Sequence, residues 1–397
     1  MKMIERPIYS QLKTALADQR IVVITGMRRV GKTTSLRWLL EQVNSDNKIY
    51  LDLERLDQRA VFQEKNYDLV LDYLRNRGLN PDQPMTVALD EIQFAPNLPS
   101  VIKYLYDECH IKFLLTGSSS YYLKNLFTES MAGRKIVYEL FPLGFGEILD
   151  FRGISYRRRP SFADMRFDEA EYERLKGEYE NYLLYGGLPD VVLQNDPRVK
   201  REILQDIFSS YINIDVQTLA DFRKIGELQQ LLRVLALRIG NKLDQTKLSQ
   251  VVGITRPTLA AYLEFLEMTY MIHRLPAMAN PDRSTALGRK LYFYDNGIAN
   301  ILAQPSEGTL FENAVFNQLK FLGDLAYYGK GNEHEIDFVL SQPEAEPVGL
   351  EVKVHPVQTD DAKLKRIAEK VGIGESWLVG RMPTPGFDQF VWGGLIF

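Results

Sequence analysis

Five short apolar runs rich in β-branched residues recur through the first third of the chain, beginning at Ile21, Lys48, Met85, Ile111 and Ile136. Runs of this length read as buried strands. Helix-like spacing precedes the first run at 4–17 and separates later runs from Ser35 onward and at 66–77, the last closed by Gly78. The alternation predicts a parallel sheet sandwiched between helices. Beyond residue 150 the pattern changes. Charged helices are expected at 168–184 and 199–219, then an apolar helical stripe at 227–239 made by Leu228, Leu231, Leu232 and Leu235. Residues 243–267 read as helix, a turn at Gly253, and helix, with Thr255 as N-cap and Pro257 in the first turn. Strands at 271–275 and 290–294 would complete a winged helix. A further helix begins near Thr309, and paired strands are expected at 333–340 and 348–354.

The chain of 397 residues allows about two to four domains. With 45% hydrophobic and 25% charged residues it is ordinary globular material. A net charge of -4 and a pI near 5.8 exclude a wholly basic nucleic-acid coat but not a local basic face. Cys109 is the single cysteine, so no disulfide can form within the chain, which fits a reducing cytoplasm. The opening residues lack a signal-peptide core, and no apolar run of about 18 residues occurs, so no membrane span is expected.

The first run leads into Gly26-Met27-Arg28-Arg29-Val30-Gly31-Lys32-Thr33-Thr34, a G-x-x-x-x-G-K-T pattern with a strand before it and a helix after it. That is the context a phosphate-binding loop requires; a Gly-rich turn matching by chance would not need both flanks. Gly26 and Gly31 allow backbone angles that a side chain would obstruct. Inward-facing N–H groups and the positive end of the helix would then hold the β-phosphate of ATP. Lys32 would reach the β- and γ-phosphates, and the Thr33 hydroxyl would ligate Mg²⁺.

The third run ends in Asp90-Glu91. Asp90 is expected to hold Mg²⁺, directly or through water, and Glu91 to orient and deprotonate the attacking water. Alone, the pair would read as an acidic turn. The fourth run ends near Thr116 and Ser118, candidates to sense the γ-phosphate or to cap a helix. Arg134 is an arginine-finger candidate for a neighbouring subunit, implying a homo-oligomer through the ATPase domain, or a surface ion-pair partner. The acidic residue after Asp90 and the polar strand tip resemble the additional-strand class of P-loop ATPases, which includes AAA+ proteins. The set Leu-Asp-Glu-Ile-Gln, Thr-Gly-Ser-Ser, Ala-Gly-Arg, Phe-Pro-Leu-Gly-Phe-Gly-Glu and Tyr-Gly-Gly-Leu-Pro-Asp, with the loop itself, is similar over nearly the whole chain to prokaryotic AAA-like ATPases with a C-terminal DUF4143 region. The resemblance implies architecture more than biological role.

Three further features carry candidate chemistry. Arg157-Arg158-Arg159 is a short basic cluster that could touch phosphate or form a solvated linker. In the helix-turn-helix, Arg256, Thr258 and Tyr262 would face a DNA groove and Lys247 a phosphate, unless the winged helix packs against protein; Glu264 and Glu267 are poor electrostatics for DNA. Near the C-terminus, a helical Glu312, a strand Asp337 and Glu351-Val352-Lys353 resemble the PD-(D/E)XK nuclease fold. There Glu312, Asp337 and Glu351 would hold Mg²⁺ and Lys353 would position the attacking water, as against an amphipathic hairpin with a cross-strand ion pair.

These readings give an α/β chain of four parts: a P-loop ATPase domain at 1–148, a helical lid or connector at 149–225, a winged-helix-like domain at 226–300 and a PD-(D/E)XK-like domain at 301–397. The expected activity is Mg²⁺-dependent ATP hydrolysis acting on DNA, with metal-dependent cleavage at the C-terminal end. The alternative is a nucleotide-dependent switch that binds a protein partner through a non-cleaving C-terminal domain.

Overall fold

The computed structural model describes residues 4–64, 66–118, 133–159, 161–216, 225–279, 288–330, 334–383 and 386–397. The chain divides into two compact units. The first comprises Met1–Phe141 with Tyr211–Asp221 and Met268–Tyr270. The second comprises Pro142–Ser210, Phe222–Glu267 and Met271–Phe397, and so takes in most of the expected connector, winged-helix and C-terminal segments.

The first unit holds strands β1 (Ile21–Thr25), β2 (Lys48–Asp52), β3 (Thr86–Asp90), β4 (Lys112–Gly117) and β5 (Lys135–Glu139). They lie in the order β2-β3-β4-β1-β5, all parallel. β4 stands between the phosphate-loop strand and the Asp90 strand, the insertion expected of the additional-strand class. Both β1 and β3 are buried along their whole length. A parallel sheet covered on both faces needs apolar residues on both, which is why these strands read as continuous runs. On one face Ile21, Val23, Leu89, Phe113 and Leu115 pack with Val70, Leu74, Val101, Ile102 and Leu105. Val101, Ile102 and Leu105 come from a helix, Leu98–Cys109, absent from the sequence expectation. The helix after β1 begins at Lys32 rather than Ser35, because Gly31, at φ 97°, is already its N-cap. The helix expected over 199–219 is regular only at Pro197–Ser210; Tyr211–Val216 widens into a π-helical turn.

In the second unit, helix Glu169–Tyr185 starts at Asp168, which accepts a 2.8 Å hydrogen bond from the Glu171 N–H. Helices Ile225–Ala236, Gln245–Val252 and Arg256–Met268 precede an antiparallel pair, β6 (Ile272–Leu275) and β7 (Lys290–Phe293). Helix Glu307–Leu319 then leads into β8 (Asp324–Lys330), β9 (His334–Ser341) and β10 (Val348–Lys353). These three pair antiparallel in sequence. Helix Gln358–Val371 crosses to β11 (Glu375–Gly380), parallel to β10, and β12 (Phe390–Trp392) closes the edge. No helix of the described residues is long and apolar enough to cross a membrane.

Candidate functional site

The phosphate loop sits where β1 ends against the start of the chain beyond β5. Gly26 has φ 152°, and a Cβ there would lie 2.0 Å from the Leu140 carbonyl oxygen. The Leu140 N–H donates to the Thr25 carbonyl at 2.7 Å, so this close approach belongs to the sheet itself. Arg6, which sequence reasoning missed, braces the loop from outside through the carbonyls of Val30 (3.2 Å) and Phe141 (3.0 Å). Lys32 is buried and its ammonium folds back onto the loop, donating to the Gly26 carbonyl at 3.0 Å and the Met27 carbonyl at 2.9 Å. Burial lowers its pKa, and the nearby charges of Glu91, Asp215 and Asp90 oppose that shift. Thr33 is half-buried and Thr34 exposed in the first helical turn.

Asp90 ends β3 with 2% exposure. Its carboxylate accepts from the Tyr50 hydroxyl at 2.7 Å and from the Thr116 hydroxyl. Glu91 follows in a left-handed conformation, φ 55° and ψ 52°. That backbone is uncommon for a residue with a side chain and clusters at functional sites. It is held by the Thr116 hydroxyl, which accepts from the Glu91 N–H at 3.1 Å, and by the Gln93 amide, which donates to the Glu91 carboxylate. Thr116 therefore organises the acidic pair instead of reaching for phosphate. Ser118 donates to Asp215 Oδ1 at 2.8 Å, and Arg28 Nε donates to Asp215 Oδ2 at 2.7 Å. Sequence reasoning missed Asp215, which is 3% exposed.

The loop fits an anionic nucleotide. Among the described residues, Arg28 Nη2 and Thr25 Oγ1 are buried without hydrogen-bond partners. The Lys32 ammonium donates to two loop carbonyls, which a phosphate would replace with a full counter-charge. A hard cation fits beside it: the Thr33 hydroxyl supplies one oxygen, and Asp90 keeps lone pairs beyond those its two hydroxyl donors use.

Other expected site residues stand elsewhere. Arg134 stands at the N-terminal end of β1, opposite the phosphate loop of its own chain: its carbonyl accepts from the Ile21 N–H at 2.7 Å. Its guanidinium pairs with Asp107 at 2.8 and 3.1 Å, a half-exposed ion pair. The basic cluster is partly tied up in ion pairs. Arg158 pairs with Asp150 at 3.1 Å at an exposed position, Arg159 is buried against Glu171, and Arg157 is exposed. In the helix-turn-helix, Arg256 and Lys247 are exposed, with Arg256 donating to the Thr246 hydroxyl and Lys247 3.6 Å from Asp244. Thr258 is half-buried and bonded to Thr255. Tyr262 is a correction: at 3% exposure it cannot face a groove. The spacing of Leu259, Tyr262, Leu263 and Leu266 is a helical apolar stripe, and that pattern could have placed it in the core.

The C-terminal residues do converge. Asp337 Oδ2 accepts from the Val352 N–H at 3.0 Å, which sets it between Glu351 and Lys353. Lys353 donates to Glu351 at 2.7 Å, and the Tyr292 hydroxyl donates to Glu312 at 2.8 Å. Burial, reinforced by the Asp337 charge, pushes Glu312 and Glu351 each up to about 7. Burial acts the same way on Asp337, but Lys290 and Lys353 outweigh it and hold that carboxyl below its ordinary value. Lys290, from β7, has a 3% exposed side chain and donates to Glu335 at 2.6 Å and Asp337 at 3.0 Å. Among the described residues, no group of three or more His, Cys, Asp or Glu side chains is placed to hold a metal ion. The expected ligand set Glu312, Asp337 and Glu351 therefore does not form a three-carboxylate cluster, and the Lys290 ammonium already supplies a positive charge to Asp337. Nothing local marks Lys290, because its partner Asp337 is 47 residues away.

Comparison with known proteins agrees with the first unit. Residues 18–149 match the family described as an AAA domain, and residues 176–308 match a domain of unknown function, DUF8612. The second match replaces the expected DUF4143 region. An uncharacterized protein of Methanocaldococcus jannaschii is 26% identical over 389 residues, covering 92% of this chain and 84% of its own. An uncharacterized protein of Haemophilus influenzae is 25% identical, covering 90% of each chain. Among solved structures, the Walker-type ATPase of Pyrococcus abyssi superposes with a TM-score of 0.50 at 16% identity, covering 76% of this chain and 96% of its own. The family match and the solved structure agree on a P-loop α/β fold of the AAA type at residues 18–149.

Proposed function

We propose that the protein is a Mg²⁺-dependent ATP hydrolase that works as a nucleotide-driven switch, with a second unit that engages a partner without cutting it. The observation that carries hydrolysis is Glu91, fixed in a left-handed backbone by Thr116 and with its carboxylate steered by Gln93, one residue past Asp90. A general base must first be held in reach of the proton it takes, and these contacts fix its orientation. Lys32 and the loop N–H groups bind the phosphates, Asp90 and Thr33 hold the cation, and Glu91 takes the proton of the attacking water. Bound Mg²⁺ would neutralise charge that develops on the phosphates.

The non-cleaving part of this reading is supported by Lys290: a buried cation already paired with Asp337 and Glu335 lessens the need for a metal ion beside Glu312, Glu351 and Lys353. A second reading, metal-dependent action on DNA, is favoured by one observation: helix, three antiparallel strands, helix and a parallel strand is the layout expected of a PD-(D/E)XK fold. The exposed Arg256 and Lys247 would then supply the DNA contacts.

Phosphate release from ATP tests the first reading. Lys32→Ala should lose nucleotide binding, whereas Glu91→Gln should keep binding and lose turnover. Wild-type turnover by Glu91→Gln sinks the base assignment. Mg²⁺ or Mn²⁺ with labelled single-stranded, duplex and branched DNA tests the second: cutting abolished by Lys353→Ala would establish a nuclease and remove the switch reading.

A further inference from the structure

The mouth of the phosphate loop contains a carboxylate that hydrolysis does not use. Asp215 lies in the π-helical turn Tyr211–Val216, nearly 200 positions beyond the loop in sequence. It touches two elements at once: Arg28, inside the loop, and Ser118, one residue past the end of β4. β4 runs directly beside β1 with Thr25 opposite Gly117. A group that reaches both therefore sits at the shared C-terminal edge of these strands, where a P-loop presents its phosphates. The Lys32 ammonium also feels the Asp215 charge. Burial works against the charged form of Arg28, yet Asp215 outweighs it and its pKa is raised. The turn is itself anchored, since the Tyr211 and Thr269 hydroxyls bond at 2.7 Å.

We infer that Asp215 is an internal stand-in for the terminal phosphate of ATP: its carboxylate holds Arg28 and Ser118 and is displaced when a γ-phosphate takes both groups. The inference rests on the ATP reading above and adds its regulation. A γ-phosphate drawn to the Arg28 guanidinium would meet the Asp215 carboxylate beside it, and like-charge repulsion in this buried site would favour displacement of Asp215. ADP carries no third phosphate and leaves the contact in place. The site thereby distinguishes triphosphate from diphosphate through its own carboxylate. Because Tyr211 follows directly on helix Pro197–Ser210, displacement acts on a segment continuous with the second unit's chain.

The test is isothermal titration of the wild-type chain and Asp215→Asn with ATPγS and ADP, each with Mg²⁺. Asparagine keeps the shape and removes the charge. ATPγS should bind Asp215→Asn about tenfold or more tightly than wild type, the scale of one charge-assisted pair released from competition. ADP should bind the two proteins alike. Unchanged or weakened ATPγS binding by a folded variant overturns the inference while leaving the ATP reading intact. No binding of either nucleotide to either protein refutes the ATP reading itself. A second measurement needs no variant: amide exchange across Tyr211–Val216 in the wild-type protein should speed up with ATPγS and not with ADP. Equal protection by both nucleotides would make Asp215 a structural brace.

Discussion

Replacing Lys290 by methionine removes the cation from the C-terminal cluster while keeping most of the side-chain volume. The native ammonium makes two charge-assisted bonds, at 2.6 Å to Glu335 and 3.0 Å to Asp337, from a side chain only 3% exposed. Removing one member of a buried ion pair costs about 3–5 kcal/mol, because the remaining charge stays desolvated. Glu335 is about one third exposed and can turn to water, whereas Asp337 stays tied to the Val352 N–H near Glu312 and Glu351. The lower end of that range, about 3 kcal/mol, is therefore expected. Urea unfolding followed by tryptophan fluorescence reads it well, since Trp377 and Trp392 lie in the second unit. The stringent form is a double-mutant cycle with Asp337→Asn. If Lys290 neutralises Asp337, the double variant should be about 2 kcal/mol more stable than the summed singles predict. A cost under about 1 kcal/mol for Lys290→Met, or strict additivity with Asp337→Asn, would refute the claim that the cluster carries its own cation.

Three further outcomes are expected. Gly26→Ala drives a Cβ to 2.0 Å from the Leu140 carbonyl at a φ of 152°, so it should cost roughly 3 kcal/mol and abolish ATP binding; calorimetry on a soluble variant checks both. Tyr262→Ala should destabilise the second unit by about 3–5 kcal/mol, whereas Arg256→Ala, at an exposed position, should stay within about 0.5 kcal/mol; urea midpoints separate them. Asp295 accepts from the N–H groups of Gly187 at 2.8 Å and Ile298 at 3.0 Å, and burial pushes its carboxyl up to about 6. The folded chain then keeps a proton that the unfolded chain releases, so stability should fall by up to about 3 kcal/mol as pH rises through the window from about 4 to about 6. Asp295→Asn should flatten that part of the urea-midpoint curve against pH.

Local pattern was enough for the strands and the loop of the first unit. The five strands and their parallel pairing follow from apolar runs alternating with helices, and the loop from glycines and a lysine six positions apart or less. Asp90 and Glu91 were legible for the same reason: the residues that define them are neighbours in sequence. Even where tertiary contacts refined the picture, as when Thr116 took up Asp90 and Glu91, the expected residue was present and its hydroxyl pointed into the site.

Other features depended on where distant segments meet. Arg134 reads the same at either end of a strand, and only strand direction puts it opposite the loop. Tyr262 was visible as part of an apolar stripe, but its hydroxyl invited a surface role that the core overrides. Asp215 and Lys290 had no readable signal. Each acts through a partner far along the chain: Arg28 is 187 residues from Asp215, and Asp337 is 47 from Lys290. The sequence by itself determined that this chain presents a phosphate loop with an acidic pair beside it, because backbone angles and strand burial are local demands on residue type. Only the tertiary structure decided which charges meet inside that loop and inside the C-terminal cluster, because a buried charge is governed by its nearest counter-charge in space, and no spacing along the chain encodes that neighbour.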